Sequence, residues 1–130
     1  MNVVDSSGWL EYLADGPNAG FFAGPLEAPG SLVVPTLSIY EVTKRIMAQR
    51  GEEPALQALA LMRQGEVVDL DEDIALQAAR ASIETGLPMA DSVMLATARA
   101  RKATLWTQDK DFDGVEGVRY VPAKARRRRG

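Results

Sequence analysis

Short apolar runs of strand length recur along this chain, each separated from the next by a longer stretch of helical character. That alternation constrains the fold more than any other feature, because strands joined by helix-length crossovers lie parallel in one sheet with the helices laid against its faces. The strand candidates are Val3-Val4, Ser31-Leu32-Val33-Val34 stopped at Pro35, Val67-Val68, Leu105-Trp106, and Val118 to Val121. Between them, Ser6 or Ser7 is placed to cap a helix carrying Trp9, Leu10 and Leu13, which Gly16-Pro17 ends. A second short helical stretch runs from Asn18 to Leu26, and Thr36 or Ser38 caps a helix that continues to Arg50 and closes at Gly51. A further helix spans Ala55 to Arg63; Asp71 caps Glu72 to Thr85, Gly86 ends it, and Pro88 opens a helix from Met89 or Ala90 to about Arg101. The expected class is α/β, with a central parallel sheet of four to five strands flanked by helices.

At 130 residues and 14.1 kDa the chain matches the size of one domain, placed at residues 1–123. Its net charge of -3 conceals an asymmetry: residues 1–123 hold ten basic against eighteen acidic residues, a net of -8, while Lys124 and Arg126 to Arg129 crowd into the end. Residues 124–130 are therefore expected to form a basic, disordered tail, with a solvated end as the plain reading and contact with RNA or a partner as the other. An acidic body argues against a broad sequence-nonspecific DNA-binding surface, yet admits a nucleic-acid substrate if divalent cations bridge the acids to phosphate. No run approaches the roughly 20 apolar residues of a membrane span. Asp5 comes too early for a signal sequence, and cysteine is absent, so a cytoplasmic location is expected.

The chain also lacks histidine. Zinc sites of the usual Cys/His kind, cysteine nucleophiles and histidine acid–base pairs are thereby excluded, while carboxylate sites for Mg²⁺ or Mn²⁺ remain open. Four acids, Asp5, Glu41, Asp91 and Asp109, each stand beside an apolar or small-residue run.

Asp5 follows the first strand, where doubly wound sheets bind ligands; a helix N-cap is the structural alternative. Glu41 rides a helix whose apolar stripe is read as Ile39, Val42, Ile46 and Met47, and a surface pairing with Lys44 or Arg45 is its plainer reading. Asp91 lies in a segment, Met89 to Ala98, whose only other polar residues are Ser92 and Thr97. A carboxylate in such a buried helix must be paired, bind a metal, or sit at the first turn. Asp109, Asp111 and Asp113 alternate after the fourth strand in the manner of a calcium loop. The loop reading fails, since Tyr120 stands where a bidentate Glu is needed and a strand, not a helix, precedes it. A polar turn is the alternative that remains.

Taken together, these segments resemble the PIN-domain ribonucleases, and among them the VapC-type toxins of toxin–antitoxin modules. Val3-Val4-Asp5-Ser6-Ser7 resembles the opening strand with its first acid, and Ser38-Ile39-Tyr40-Glu41-Val42 the helix-borne Glu. Leu87-Pro88-Met89-Ala90-Asp91-Ser92 resembles the third acidic motif, and Leu105 to Phe112, through Thr107-Gln108-Asp109-Lys110-Asp111, the fourth. The resemblance implies a PIN-like three-layer fold, a Mg²⁺- or Mn²⁺-dependent endoribonuclease, a cognate antitoxin protein and a homodimer. By position, Asp5, Glu41, Asp91 and Asp109 are the acidic quartet, with Thr107, Ser6 and Asp111 in support. Ser92 departs from the pattern, where a small apolar residue is commoner, and a hydrogen bond within the site is one reading of it.

On that resemblance Asp5, Asp91 and Asp109 ligate metal directly, while Glu41 serves a second ion or acts through water. Thr107 and Ser6 orient ligands, and Lys44, Arg45 and Lys110 are candidates for substrate phosphates. Two rivals stand beside this reading: a receiver-type signalling domain with a magnesium pocket, which needs an acidic pair where this chain has Asp5-Ser6-Ser7, and a non-catalytic binding protein.

Overall fold

The computed structural model describes residues 1–125, so the arginines from 126 onward, and with them most of the expected tail, lie outside the described residues. Five strands form one parallel sheet: β1 Asn2–Val4, β2 Leu32–Pro35, β3 Glu66–Val68, β4 Thr104–Thr107 and β5 Val118–Tyr120. Six α-helices accompany them: α1 Ser6–Leu13, α2 Ala19–Leu26, α3 Thr36–Arg50, α4 Glu52–Met62, α5 Glu72–Thr85 and α6 Met89–Ala100. Short 3₁₀ turns occupy Pro29–Ser31 and Lys110–Phe112.

The strand order is β3-β2-β1-β4-β5. From β1 the chain steps outward through β2 to β3, then returns to the other side of β1 to lay down β4 and β5. The switch in direction falls between β1 and β4, and a crevice opens beyond the carboxyl ends of the strands at such a point. Receiver domains of the flavodoxin-like type are ordered 2-1-3-4-5. The order found here is different, which removes the receiver alternative.

Two apolar clusters cover the two faces of the sheet, and the period-two alternation of the strands assigns each residue to its face. Val3, Val33 and Leu105 point to one side and pack with Ile74, Ala78 and Ala81 of α5 and with Val93, Met94 and Leu95 of α6. Val4, Leu32 and Val34 point to the other, against Trp9, Phe22, Val42, Ile46, Ala58 and Met62 from α1 to α4. In α6 every residue from Ser92 to Ala98 is buried, which explains the nearly unbroken apolar composition of that helix. Met47, expected in the apolar stripe of α3, is 47% exposed. It follows Ile46 by one residue, about 100° further round the helix, and so turns off the buried face.

Helix starts depart from expectation at three places. Asp5 itself, not Ser6 or Ser7, is the N-cap of α1 and accepts the Gly8 N–H. Pro35 occupies the cap position of α3 without a side-chain hydrogen bond, and Ser38 donates its hydroxyl back to the Pro35 carbonyl at 2.7 Å. α4 begins at Glu52, with Pro54 inside its first turn, where a missing N–H costs nothing. Asp71 caps α5 and Gly86 ends it in the left-handed conformation at φ 75°, both as the sequence indicates.

Candidate active site

Asp5 sits where β1 becomes α1, and the same loop geometry that caps the helix fixes its carboxylate. Oδ1 accepts from the Ser7 hydroxyl at 2.8 Å and the Gly8 N–H at 2.9 Å; Oδ2 accepts from the Thr107 hydroxyl at 2.6 Å. Its backbone N–H is bonded to the Trp106 carbonyl, which locks the end of β1 to β4. Only 4% of Asp5 is exposed. Burial pushes its carboxyl up to about 6 despite the three donors, and the nearby Asp109 adds to the rise.

Thr107 ends β4 and is fully buried. While its hydroxyl donates to Asp5, its oxygen accepts the Asp109 N–H at 2.9 Å. Asp109 in turn caps the 3₁₀ turn by accepting the Asp111 N–H at 3.0 Å. Of the three acids at alternate positions after β4, Asp109 and Asp111 are thereby kept near Asp91, while Asp111 and Asp113 are exposed.

Asp91 reaches the same place from α6. It occupies the first turn of that helix, but Pro88 holds the cap position and, among the described residues, no hydrogen bond or ion pair to the Asp91 carboxylate is found. Its carboxyl is raised to about 7, first by burial and then by the facing charges of Asp109, Asp5, Asp111 and Glu41. Glu41 arrives from α3, with one oxygen accepting from the Ser6 hydroxyl at 2.7 Å. Neither Lys44 nor Arg45 pairs with it; the single ion pair among the described residues joins Arg101, at the end of α6, to Glu66 of β3.

The four acids of the quartet thus converge on one cavity of about 500 Å³, whose lining includes Asp5, Glu41, Asp91, Asp109, Lys44 and Arg45. The tightest grouping differs in one member from the expected direct ligands. Oxygens of Asp91, Asp109 and Asp111 all lie within 4.8 Å of one another, whereas both Asp5 oxygens are already engaged by donors. Two opposed oxygens on one Mg²⁺ stand about 4.2 Å apart at ~2.1 Å per bond, so this trio is close to the size of one hard-cation site. Carboxylates that repel one another and have no cationic partner fit a divalent ion.

A PIN-domain family model matches residues 3–118. The chain belongs to the PIN-domain family. Solved structures agree on the fold of this PIN domain. A toxin–antitoxin complex from Klebsiella pneumoniae superposes with a TM-score of 0.76 at 23% identity, covering 91% of this chain and 95% of that one. VapC20 of Mycobacterium tuberculosis, a toxin that cleaves the sarcin–ricin loop, gives 0.73 at 18% identity, with 89% and 95% covered. DNA-bound VapBC from Salmonella typhimurium gives 0.71 at 14%, with 94% and 98% covered. No curated protein matches the sequence.

Two features of the PIN domain's site escaped the sequence. Ser7 is a direct donor to Asp5, a role concealed because the serines pass equally well for helix caps. Tyr40 and Lys44 form a pair at the rim, the ammonium 3.1 Å from the phenol oxygen and 5.4 Å from the ring centre; their spacing of four residues was the available signal. Conversely, Ser92 bonds to the Leu87 carbonyl at 3.0 Å and has no hydrogen bond within the acidic cluster, and Lys110, though exposed beside Asp109, does not line the cavity.

Proposed function

We propose that this PIN domain is a Mg²⁺- or Mn²⁺-dependent endoribonuclease, and that it is the toxin of a toxin–antitoxin pair. The observation that carries the reading is the convergence of five carboxylates, without a cationic partner among the described residues, at the sheet's switch point. Asp91, Asp109 and Asp111 would hold the ion, with Asp5 and Glu41 lining the same cavity as Asp91 and Asp109. A bound divalent ion supplies neutralisation of phosphoryl charge and acidification of water. The chain's own groups then position the reactants. Thr107 and Ser7 fix the Asp5 carboxylate, Ser6 holds one oxygen of Glu41 and leaves the other to accept a proton from water, and Lys44 and Arg45 face the substrate phosphates.

An antitoxin partner follows from the same reading, because structures of similar fold include a toxin–antitoxin complex and VapBC on DNA. A homodimer and a cytoplasmic RNA substrate belong to it as well. No helix among the described residues is long and apolar enough to cross a membrane.

Incubating defined RNAs with the wild type and with Asp5→Asn, in Mg²⁺, Mn²⁺ or EDTA, tests the proposal. Attack by water leaves 5′-phosphate and 3′-hydroxyl ends, and cleavage stops with chelator and with the variant. A 2′,3′-cyclic phosphate product, or full activity in EDTA, overturns it.

A further inference from the structure

A second crevice, of about 350 Å³, adjoins the acidic cavity and shares Ser7, Leu10 and Arg45 with it. Its lining is apolar at Leu10, Leu13 and Ile46 and polar at Arg45, Gln49, Arg50 and Gln108. Arg45 stands at the boundary, lining both spaces. Neither Arg45 nor Arg50 has an ion pair or a side-chain hydrogen bond among the described residues, unlike Lys44, which is held by Tyr40. The single acid in the lining, Glu11, has one carboxylate oxygen committed to the Asn18 N–H at 2.8 Å. Gln108 accepts from the Asn18 side chain at 3.0 Å through its carbonyl oxygen, which leaves its NH₂ group as a donor.

We infer that this crevice holds the nucleotide next to the cleaved bond, on single-stranded RNA, with Arg45 and Arg50 taking successive phosphates. The inference rests on the reading of the acidic cavity as the cleavage site, since a strand threaded through that cavity must leave it over one of its walls. The wall shared by both spaces is the one that offers unpaired cations. Exposed arginines that find no partner in a chain of net negative charge are available to a polyanion, and guanidinium groups bind phosphate through two parallel hydrogen bonds. Leu10 and Ile46 give a ribose or base an apolar surface, and the Gln49 and Gln108 amides face it with hydrogen-bonding groups.

Fluorescence anisotropy of a labelled single-stranded RNA decamer, titrated with full-length protein in Ca²⁺ at several salt concentrations, tests this separately from cleavage. Each phosphate contact contributes about 0.7 to the slope of log affinity against log salt on a single strand. The double variant Arg45→Gln/Arg50→Gln is expected to flatten the slope by about 1.4 and weaken binding, and Arg45→Lys/Arg50→Lys to restore the slope. A slope unchanged in the glutamine variant, with its melting temperature unchanged, overturns the inference even if the wild type cleaves RNA. So does a wild type that binds no RNA, as expected if a partner protein's acidic segment is the true occupant. Wild-type binding with the expected loss in the variant, but no cleavage in Mg²⁺, supports the crevice and defeats the nuclease reading alone.

Discussion

The Thr107 hydroxyl donates to Asp5 Oδ2 at 2.6 Å, joining residues 102 positions apart at the carboxyl ends of the adjacent strands β1 and β4. Because the Thr107 hydroxyl oxygen also accepts the Asp109 N–H, one buried side chain sets the spacing between the first acid of the chain and the last of the quartet. Removing the hydroxyl leaves a buried carboxylate oxygen without its donor.

Thr107→Val is therefore expected to lower stability by about 1–3 kcal/mol, the range for a buried acceptor stripped of its partner. It should also raise the Asp5 carboxyl further, since Thr107 is the foremost of the donors that oppose the effect of burial. Thr107→Ser keeps the hydroxyl and should recover most of both. Denaturant melts of the three proteins, with Asp5 titrated by NMR, check this; a valine variant as stable as wild type would show that the bond organises nothing.

Gly8 lies in α1 with no room for a side chain. A Cβ there would stand 2.5 Å from the Val4 side chain of β1 and 2.6 Å from the Phe22 ring of α2, two fully buried neighbours. Gly8→Ala is expected to cost about 1–3 kcal/mol through overpacking and to push the α1 N-terminus, whose Gly8 N–H holds Asp5, away from the site. The melting temperature should fall by several degrees and RNA cleavage with it. Alanine tolerated without a drop in either would mean the helix can lift freely.

Apolar spacing made the fold legible: Val3 and Val4 fall on opposite faces because strand side chains alternate, and the long interval before Leu105 requires a crossover. The acids were legible as types but not as a set. Nothing in the spacing of Asp109 and Asp111 tells that both come close to Asp91, because that depends on the 3₁₀ turn that Asp109 caps. Asp5 presented the opposite difficulty, since N-cap and site residue appeared as alternatives in the sequence. In the structure Oδ1 caps α1, and the same carboxylate lines the acidic cavity. Ser92 was ambiguous for want of a known neighbour, and the Leu87 carbonyl supplies it.

Proton uptake should be measurable in the stability of the metal-free protein. Asp91 is raised from 3.8 to about 7 and Asp5 from 3.8 to about 6, so the native state binds these protons more tightly than the unfolded chain. Each group's contribution is fully present below about pH 4 and is lost as pH rises, through about 6 for Asp5 and about 7 for Asp91. In EDTA, the difference in stability between Asp91→Asn and wild type should therefore grow in favour of the variant from pH 5 to pH 8. Because Mg²⁺ must displace these protons, its stabilising effect on wild type should be small at pH 5 and larger at pH 8. A difference independent of pH would show that Asp91 has an ordinary carboxylate affinity.

Asp91→Asn at fixed pH separates a metal ligand from a helix-end charge. Asp91 has no hydrogen-bond donor among the described residues, and four other carboxylates face it, so the near-isosteric amide removes repulsion and gives up no bond. In EDTA at pH 8 the variant should melt at the same temperature as wild type or higher. With added Mg²⁺ or Mn²⁺ the order should reverse, because a cation at free concentration c that binds the native state stabilises it by RT ln(1 + c/Kd), and the variant, having lost a ligand, has the larger Kd. RNA cleavage should be lost in the same variant. Were Asp91 there only to favour the positive end of α6, the amide would lower stability by about 0.3–1 kcal/mol with or without metal, and cleavage would survive. Melting curves of both proteins in EDTA and in Mg²⁺, beside one cleavage assay, decide between the two: equal metal shifts with retained activity would take Asp91 out of the site.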